Sequence, residues 1–394
     1  MVGGGPGAFI GAVHRMAAAL DGEYELVAGS FSADPLKSRE TGNQLGLDPE
    51  RVYGSYEEMA EAEASRSGSD EIRLVSIVTP NHLHHPVAKA FLERDVHIVC
   101  DKPLTTTVED AEELCRLTAQ RGLVFAVTYN YTGYPMVKEA RERVGAGELG
   151  ELRKVVVEYT QGWLRTLLEA EGQKQAEWRT DPVRAGVSSA LGDIGSHAYD
   201  LVCYVTGLEI RRLFADLGSV VDGRRMEDDA TVLLELDGGV RGLLFVSQIS
   251  TGERNHLRLR VYGTERGLDW SQDKPERLRI LESDGSERVV YRGSGAMSKR
   301  TAAHTRLPAG HPEGFIEAFA NIYRDVALAV RSRGGDATAG EGGRDAGAAR
   351  HLAADFPTVR EGARGVHFIH TAVESARRRA WVDAAYSAPG EGRA

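Results

Sequence analysis

Cysteine is scarce in this chain. Three residues in 394, Cys100, Cys115 and Cys203, are too few and too scattered for a disulfide framework, and none stands in a metal-ligand spacing. They fit a reducing cytoplasm, with no metal site expected. Basic charge is in deficit, with 48 Lys and Arg against 58 Asp and Glu and a net charge of −10, which argues against nucleic acid as the main partner. An uninterrupted apolar run of about 18 residues is missing, so no membrane span is expected. The start lacks a charged segment followed by an apolar one, so no secretory signal is read there. There is no internal repeat.

What is present is ordinary in amount, 42% hydrophobic and 27% charged, in a chain long enough for two or three domains. The chain opens Met1-Val2-Gly3-Gly4-Gly5-Pro6-Gly7-Ala8-Phe9. Gly3, Gly5 and Ala8 fit G-x-G-x-x-G/A, the turn that brings backbone close to a pyrophosphate at a helix N-terminus. A helix follows with Val13, Met16, Ala17 and Leu20 as its apolar stripe, Gly22 ends it, and residues 24–29 read as a second strand. Only Met1 and Val2 are left for the first strand. A longer native form with several more apolar residues upstream is therefore expected, more stable and tighter for cofactor.

Dinucleotide sites often carry an acid after the second strand to bind the ribose 2′-hydroxyl. Phe31 stands at that place, between Ser30 and Ser32. A 2′-phosphate is then not repelled, and Ser32, Lys37 or Arg39 could contact it, while Asp34 could still reach a ribose. NADP is allowed and NAD is not excluded. Helices are read at 38–48 and 55–65. Residues 72–78 form a near-continuous apolar run, as in a buried parallel strand, and end in Thr79-Pro80-Asn81-His82. After a helix at 84–94, a strand at 96–100 delivers Asp101-Lys102-Pro103 to the same edge, where open α/β sheets bind ligands. A lysine there can donate to a substrate oxygen. A helix at 107–120, with Thr107 as its cap, and a strand at 123–128 complete a doubly wound parallel sheet.

The texture then changes. A helix at 134–147 and a strand at 151–159 precede a loop with Trp163, Trp178 and Arg179. A helix at about 189–206 holds Gly192-Asp193-Ile194-Gly195-Ser196-His197 and Asp200, with Asp193, His197 and Asp200 on one face. An acid and an imidazole so placed can form a proton-transfer pair, although a capped, solvated face has the same pattern. Strand-like runs at 209–221, 229–236, 240–250, 256–263, 266–271, 278–282 and 287–292 suggest one antiparallel sheet. An amphipathic helix at 314–332, a loose, mobile surface loop at 333–347 and a helix at 357–380 follow. The expected organisation is a nucleotide-binding domain at 1–130, an α+β substrate and oligomerisation domain at 131–380, and a tail at 381–394.

The glycine turn, Thr79-Pro80-Asn81-His82, Asp101-Lys102-Pro103 and Gly192-Asp193-Ile194-Gly195-Ser196-His197, in this order and spacing, resemble the glucose–fructose oxidoreductase / inositol dehydrogenase / MocA family from Gly3 to about Ala380. The resemblance implies an N-terminal Rossmann domain, a C-terminal domain on a large, mostly antiparallel sheet, and NAD(P)-dependent hydride transfer at a secondary hydroxyl or ketone of a sugar, inositol or glycoside. By the match, the catalytic residues are Lys102, Asp193 and His197. His197 would be the general base, Lys102 the holder of the substrate oxygen, and Asp193 the binder of a neighbouring hydroxyl. Gly3, Gly5, Pro6, Gly7, Ala8, Phe9, Ser30, Ser32, Thr79, Pro80, Asn81, His82, Asp101 and Lys102 would face the cofactor, with Trp178 and Arg179 beside the nicotinamide. Asn130, Tyr131 and His311 are further candidate substrate contacts. Many relatives carry an arginine where this chain has Tyr131, which leaves the substrate subclass open. Two other readings are a non-catalytic dinucleotide-binding sensor and an enzyme that keeps its cofactor for redox-assisted glycoside chemistry. Apolar runs at 243–246 and at Leu257, Leu259 and Val261 suggest a homodimer or a dimer of dimers through the sheet face.

Overall fold

A computed structural model describes residues 1–333 and 355–389. The loose loop expected at 333–347 lies outside them beyond Arg333. Four parallel strands, β1 (Val2–Gly3), β2 (Leu74–Val78), β3 (His97–Cys100) and β4 (Phe125–Val127), pair in the order β1-β2-β3-β4. Val75, Ile77, Ile98 and Val99 are fully buried, as strands covered on both faces require. The helices between them are α1 (Phe9–Leu20), α2 (Pro35–Gln44), α3 (Tyr56–Ala64), α4 (His84–Leu92) and α5 (Val108–Arg121). Thr107 caps α5 by accepting the Asp110 amide, and Gly122 ends it at φ 63°.

Two details differ from the sequence reading. Residues 24–29 do not form the strand read there: Gly29 makes one isolated bridge to Val52, and the next residue, Ser30, makes another to Val2 of the two-residue β1. Helix α2 starts at Pro35 rather than residue 38, since Asp34 accepts from the Leu36 and Lys37 amides and the proline is pre-set for a first turn.

The second sheet has nine strands: β5 (Leu152–Thr160), β6 (Ile210–Gly218), β7 (Asp229–Leu236), β8 (Arg241–Ser247), β9 (His256–Gly263), β10 (Arg266–Ser271), β11 (Arg277–Glu282), β12 (Glu287–Tyr291) and β13 (Val382–Asp383). Their order is β12-β11-β10-β9-β5-β8-β7-β6-β13, antiparallel throughout except for the parallel pair β5–β8. One face is covered by α6 (Pro135–Gly145), α9 (Ser196–Thr206) and α12 (Val359–Arg378). The short helices α7 (Lys174–Arg179), α8 (Pro182–Ala185) and α10 (Lys299–Ala302) lie in the connections.

Leu257, Leu259 and Val261, read as docking residues for another subunit, point inward and are at most 3% exposed. The outward row is instead Arg260, Val156, Leu243, Leu233 and Phe214, which the strand register aligns. Strand alternation puts Leu243 and Phe245 on the open face and Leu244 and Val246 in the core.

The two halves interleave. Helix α11 (Phe315–Arg333) follows the second sheet in sequence but packs on α1, burying Phe319, Ile322, Tyr323 and Val326 with Val13, Ala17, Val99 and Ala126. Each such large side chain contributes about 1.5–3 kcal/mol on burial. His14 of α1, Ser76 of β2 and Tyr323 of α11 meet below the surface, with His14 Nδ1 2.7 Å from the Tyr323 hydroxyl. Of the stretch read as a tail, residues 381–394, those described are built in: Val382 and Asp383 pair with β6, and Ala388 is 2% exposed. None of the described helices is long and apolar enough to cross a membrane.

Candidate functional site

The glycine turn comes first because it fixes where a dinucleotide fits. A Cβ on Gly11 would lie 2.4 Å from the Gly4 Cα, so the first turn of α1 sits directly on the turn's backbone. A Cβ on Gly5 would lie 2.6 Å from the Phe31 carbonyl, and Gly7 has φ +75° with open space around it. Nothing larger than hydrogen fits at Gly5 or Gly11, and the opening beside Gly7 suits a pyrophosphate at the start of α1. The residues therefore fit a dinucleotide. Phe31, placed by sequence where a ribose would bind, turns into the core and is 2% exposed among Met1, Val52 and Val78. Ser30 is buried, and the Ser32 hydroxyl accepts from the Asp34 amide. Asp34 sits at the α2 N-cap with Lys37 Nζ 3.7 Å away. Phe9 is 71% exposed and stacks on Phe315.

Two loops at the carboxyl edge of the parallel sheet carry the next residues. His84, buried, ties them together: Nε2 is 2.9 Å from the Thr79 carbonyl and Nδ1 is 2.8 Å from the Pro103 carbonyl. Burial pushes its pKa below the ordinary range, against the pull of Asp101 and those carbonyls. Asn81 donates to the Ala185 carbonyl, and Pro6 accepts from Lys174 Nζ at 3.4 Å, so the 163–187 excursion touches both the sheet edge and the glycine turn. His82 is exposed. Asp101 accepts from the Lys102 amide and the Thr128 hydroxyl, which aims Lys102 across the domain boundary.

Lys102 Nζ reaches Asp193, donating to Oδ1 at 2.7 Å and to the backbone carbonyl at 2.6 Å. The helix read at 189–206 is divided here. Leu191–Gly195 forms a π-helical turn, and α9 begins only at Ser196. Such turns occur often at functional sites. Glu227 clamps the entry, accepting from the Ser188 hydroxyl at 2.6 Å and from the amides of Ser189 and Leu191 at 2.7 and 3.1 Å. Burial would raise the Asp193 pKa, but Lys102 and Arg179 outweigh it and hold the carboxyl well below the usual carboxylate range. Arg179 Nε lies 3.3 Å from Oδ2, and its guanidinium stacks on Trp178 at 4.2 Å.

His197 sits on the other side of the turn, 8% exposed, with Tyr131 4.9 Å, Tyr129 5.8 Å and Tyr159 6.3 Å away between ring centroids. Burial, and then the Lys102 cation, push its pKa well below the ordinary histidine value, so the ring is neutral at pH 7. Its Nδ1 is buried without a hydrogen-bond partner, as are Thr79 Oγ1 and Asn130 Nδ2. Asp200 is not part of this group. It is buried near Arg141 and Glu361, and burial first, with Glu361 adding, raises its pKa well above the carboxylate range. His311 is exposed, and its loop is tied to Arg292, Glu313 and Asp21 instead of to the Lys102–Asp193–His197 group.

Sequence reading missed a chain of amides. Gln248 Nε2 donates to Asp193 Oδ2 at 2.9 Å, Gln161 Nε2 donates to Asn255 Oδ1 at 2.6 Å, and the Tyr159 hydroxyl donates to Asn255 at 2.8 Å. The only signal was a glutamine directly after each of two strands, and it gains meaning once their register is known. Among the described residues, one trio, His85, Asp110 and Glu113, lies close enough to share an ion, but Lys89 already holds Glu113 at 2.6 Å.

A glycine turn on a parallel sheet, joined to a nine-stranded and mostly antiparallel domain, defines a class: a two-domain dinucleotide-binding oxidoreductase. Residues 1–129 match the family model "Oxidoreductase family, NAD-binding Rossmann fold", and residues 137–269 match the Gfo/Idh/MocA C-terminal domain. An uncharacterized oxidoreductase, YfiI, of Bacillus subtilis (strain 168) is 33% identical over 390 residues, 97% of this chain and 95% of that protein. Among solved structures, an inositol dehydrogenase homolog from Azotobacter vinelandii complexed with NAD+ superposes with a TM-score of 0.90 at 36% identity, covering 97% and 96% of the two chains. The same homolog is known complexed with NADH and myo-inositol, with a TM-score of 0.87. An oxidoreductase from Sinorhizobium meliloti gives 0.84 at 42% identity over 97% and 98% of the two chains. The chain belongs to the Gfo/Idh/MocA oxidoreductase family.

Proposed function

We propose that this protein is an NAD-dependent dehydrogenase acting on a secondary hydroxyl of an inositol, sugar or related polyol. The observation that carries this reading is the convergence of Lys102, from the nucleotide-binding half, on Asp193 beside a neutral, buried His197. When bound, a nicotinamide supplies a two-electron hydride acceptor. The chain's own residues handle the proton and the oxygen. His197 takes the hydroxyl proton on Nε2, since Nδ1 is enclosed. Lys102 donates to the same oxygen and stabilises the negative charge that grows as the proton leaves. Asp193 holds Lys102 in place and accepts from a neighbouring substrate hydroxyl, which favours vicinal diols. Tyr131 and Tyr159 shield the imidazole from water. The complexes of the Azotobacter relative with NAD+, and with NADH and myo-inositol, support the same cofactor and substrate class.

The cofactor preference we assign is NAD. The Asp34 carboxylate stands at the α2 N-cap, where it disfavours a 2′-phosphate, and Phe31 offers that phosphate no donor. A panel of inositols, pyranoses, anhydrosugars and glycosides, each assayed with NAD and NADP for reduced-nicotinamide absorbance, tests the reading. Turnover of a polyol with NAD preferred is expected. No turnover across the panel would sink it.

A further inference from the structure

The hydrogen bonds around Asp193 continue past Gln248. Gln248 is fully buried, directly after β8. Besides Asp193 Oδ2, its amide lies 3.4 Å from Gln161 Oε1. Gln161 directly follows β5, and its Oε1 also accepts from the Trp163 indole at 2.9 Å. Asn255, just before β9, accepts from Gln161 and Tyr159 through Oδ1 and donates to the Tyr131 hydroxyl at 3.3 Å and to Gln272 Oε1 at 3.2 Å. The Tyr131 and Tyr159 hydroxyls lie 2.5 Å apart. The register explains the meeting: Thr160 of β5 pairs with Ser247 of β8 on one side and His256 of β9 on the other, so Gln161, Gln248 and Asn255 are neighbours at one end of the sheet.

The polarity of this chain is determined by chemistry. Asp193 is held as a carboxylate and can only accept, so Gln248 must present its NH2. Gln161 Oε1 takes the indole N–H, which turns its NH2 toward Asn255. Asn255 then donates to Tyr131, Tyr131 donates to Tyr159, and Tyr159 donates back to Asn255. The carboxylate in the middle of the π-turn is thereby linked to the two phenols that stand against His197, in the first turn of α9. The Gln248 carbonyl, Oε1, is buried with no partner, so a single bond to Asp193 and a longer one to Gln161 decide how this side chain lies.

We infer that Gln248 is a positioning residue, the joint through which the β5–β8–β9 strand ends fix the Asp193 carboxylate relative to His197. This rests on the dehydrogenase reading for its consequence in turnover, but not for its effect on Asp193. The charged and titratable groups facing Asp193 are Lys102, Arg179 and His197, with the phenols of Tyr131 and Tyr159 beyond. Removing Gln248 takes away a donor to the charged form and leaves those groups in place, so Asp193 must titrate higher.

The test uses the full-length protein with Gln248→Leu and Gln248→Glu, comparing NADH affinity by fluorescence, kcat and KM on the best polyol, and the Asp193 carboxyl titration by 13C NMR, assigned with Asp193→Asn. Gln248→Leu should raise the Asp193 titration midpoint, lower kcat about 10- to 100-fold, the worth of one hydrogen bond to a charged group, and leave NADH affinity intact. Gln248→Glu, isosteric but acidic, should raise that midpoint further. An unchanged Asp193 titration in folded Gln248→Leu protein would overturn the inference. So would a kcat within about twofold of wild type alongside a shifted midpoint, since Asp193 would then be perturbed without consequence. Wild-type protein that turns over no polyol refutes the dehydrogenase reading instead, and the NMR titration still decides the role of Gln248.

Discussion

Replacing Lys102 with methionine keeps the stem and removes the charge, leaving the partly buried Asp193 without its nearest cation. The pair is 13% and 18% exposed at 2.7 Å, so solvent screening does not erase it. Two unit charges with centres about 4 Å apart interact by about 4 kcal/mol at an effective dielectric of 20, or about 3 pKa units. Arg179 at 3.3 Å and the Gln248 amide remain, so the net loss at pH 7 should be about 3 kcal/mol, at the low end for breaking a buried pair. The sign with pH follows from Asp193. In wild type its pKa is depressed, so its contribution to stability is present above the unfolded value near 3.9 and is lost only as pH falls through the lower folded value. In Lys102→Met the burial effect weighs more heavily against the carboxylate, so lowering the pH relieves the variant before it harms wild type. The gap in denaturation free energy should therefore be constant from pH 7 to about pH 5 and narrow only below about pH 4, where Asp193 protonates in the variant before it does in wild type. In a double-mutant cycle with Asp193→Asn, the double variant should be more stable than the sum of the singles by about 3 kcal/mol. Both are read by urea denaturation of the protein without ligand. Additive singles, or a gap independent of pH, would refute the argument. Turnover of Lys102→Met should fall about 10²–10³-fold, through loss of the donor to the substrate oxygen.

His197→Ala should lower kcat about 10²–10⁴-fold. Because burial and Lys102 depress the His197 pKa, kcat/KM for oxidation in wild type should show no histidine-like decline as pH falls from about 8 to 6; an inflection near 6.5 that vanishes in the variant would contradict this. Gly11→Ala places a methyl 2.4 Å from the Gly4 Cα, so the start of α1 must shift. Its NADH affinity, by fluorescence titration, should drop at least about 10-fold with a stability loss of about 1–3 kcal/mol, and unchanged affinity would argue against this turn as the pyrophosphate cradle. The outward row through Val156, Leu243 and Leu233 is apolar at its centre, and we expect it to seal a dimer or a dimer of dimers. Light scattering at micromolar concentration should show an oligomer that Leu243→Glu with Phe245→Glu breaks, whereas a monomeric wild type would exclude this interface.

Much of the fold was legible where the physics is local. Residues 72–78 read as a buried strand because both faces of a parallel strand are apolar, and Thr107 read as a cap because it stands just ahead of Glu109 and Asp110. The glycine turn was legible from the spacing of Gly3, Gly5 and Ala8 ahead of a helix, and the structure adds the reason, since neither Gly5 nor Gly11 leaves room for a Cβ. What escaped depended on partners distant in sequence. The apolar run at 257–261 has a buried face in any register, so sequence could not tell core from interface. Helix α11 belongs by order to the second half, and only the complementarity of Phe319 and Tyr323 with α1 shows where it docks. The π-turn at Leu191–Gly195 carries the same residue pattern as an α-helix, so Asp193 and His197 were legible as a pair while the split between their surroundings was not. Gln161 and Asn255 are 94 positions apart, and a glutamine directly after a strand, at 161 and at 248, says nothing of which strand ends meet.

The most direct test of the account follows the hydride itself. An inositol deuterated at its carbinol carbons is incubated with the protein and NAD, and the isolated NADH is examined by mass spectrometry and NMR. The account predicts one deuterium at C4 of the nicotinamide, on a single face, at a rate that collapses in His197→Ala and Lys102→Met. Protein that binds NADH but transfers no deuterium from any polyol would contradict it.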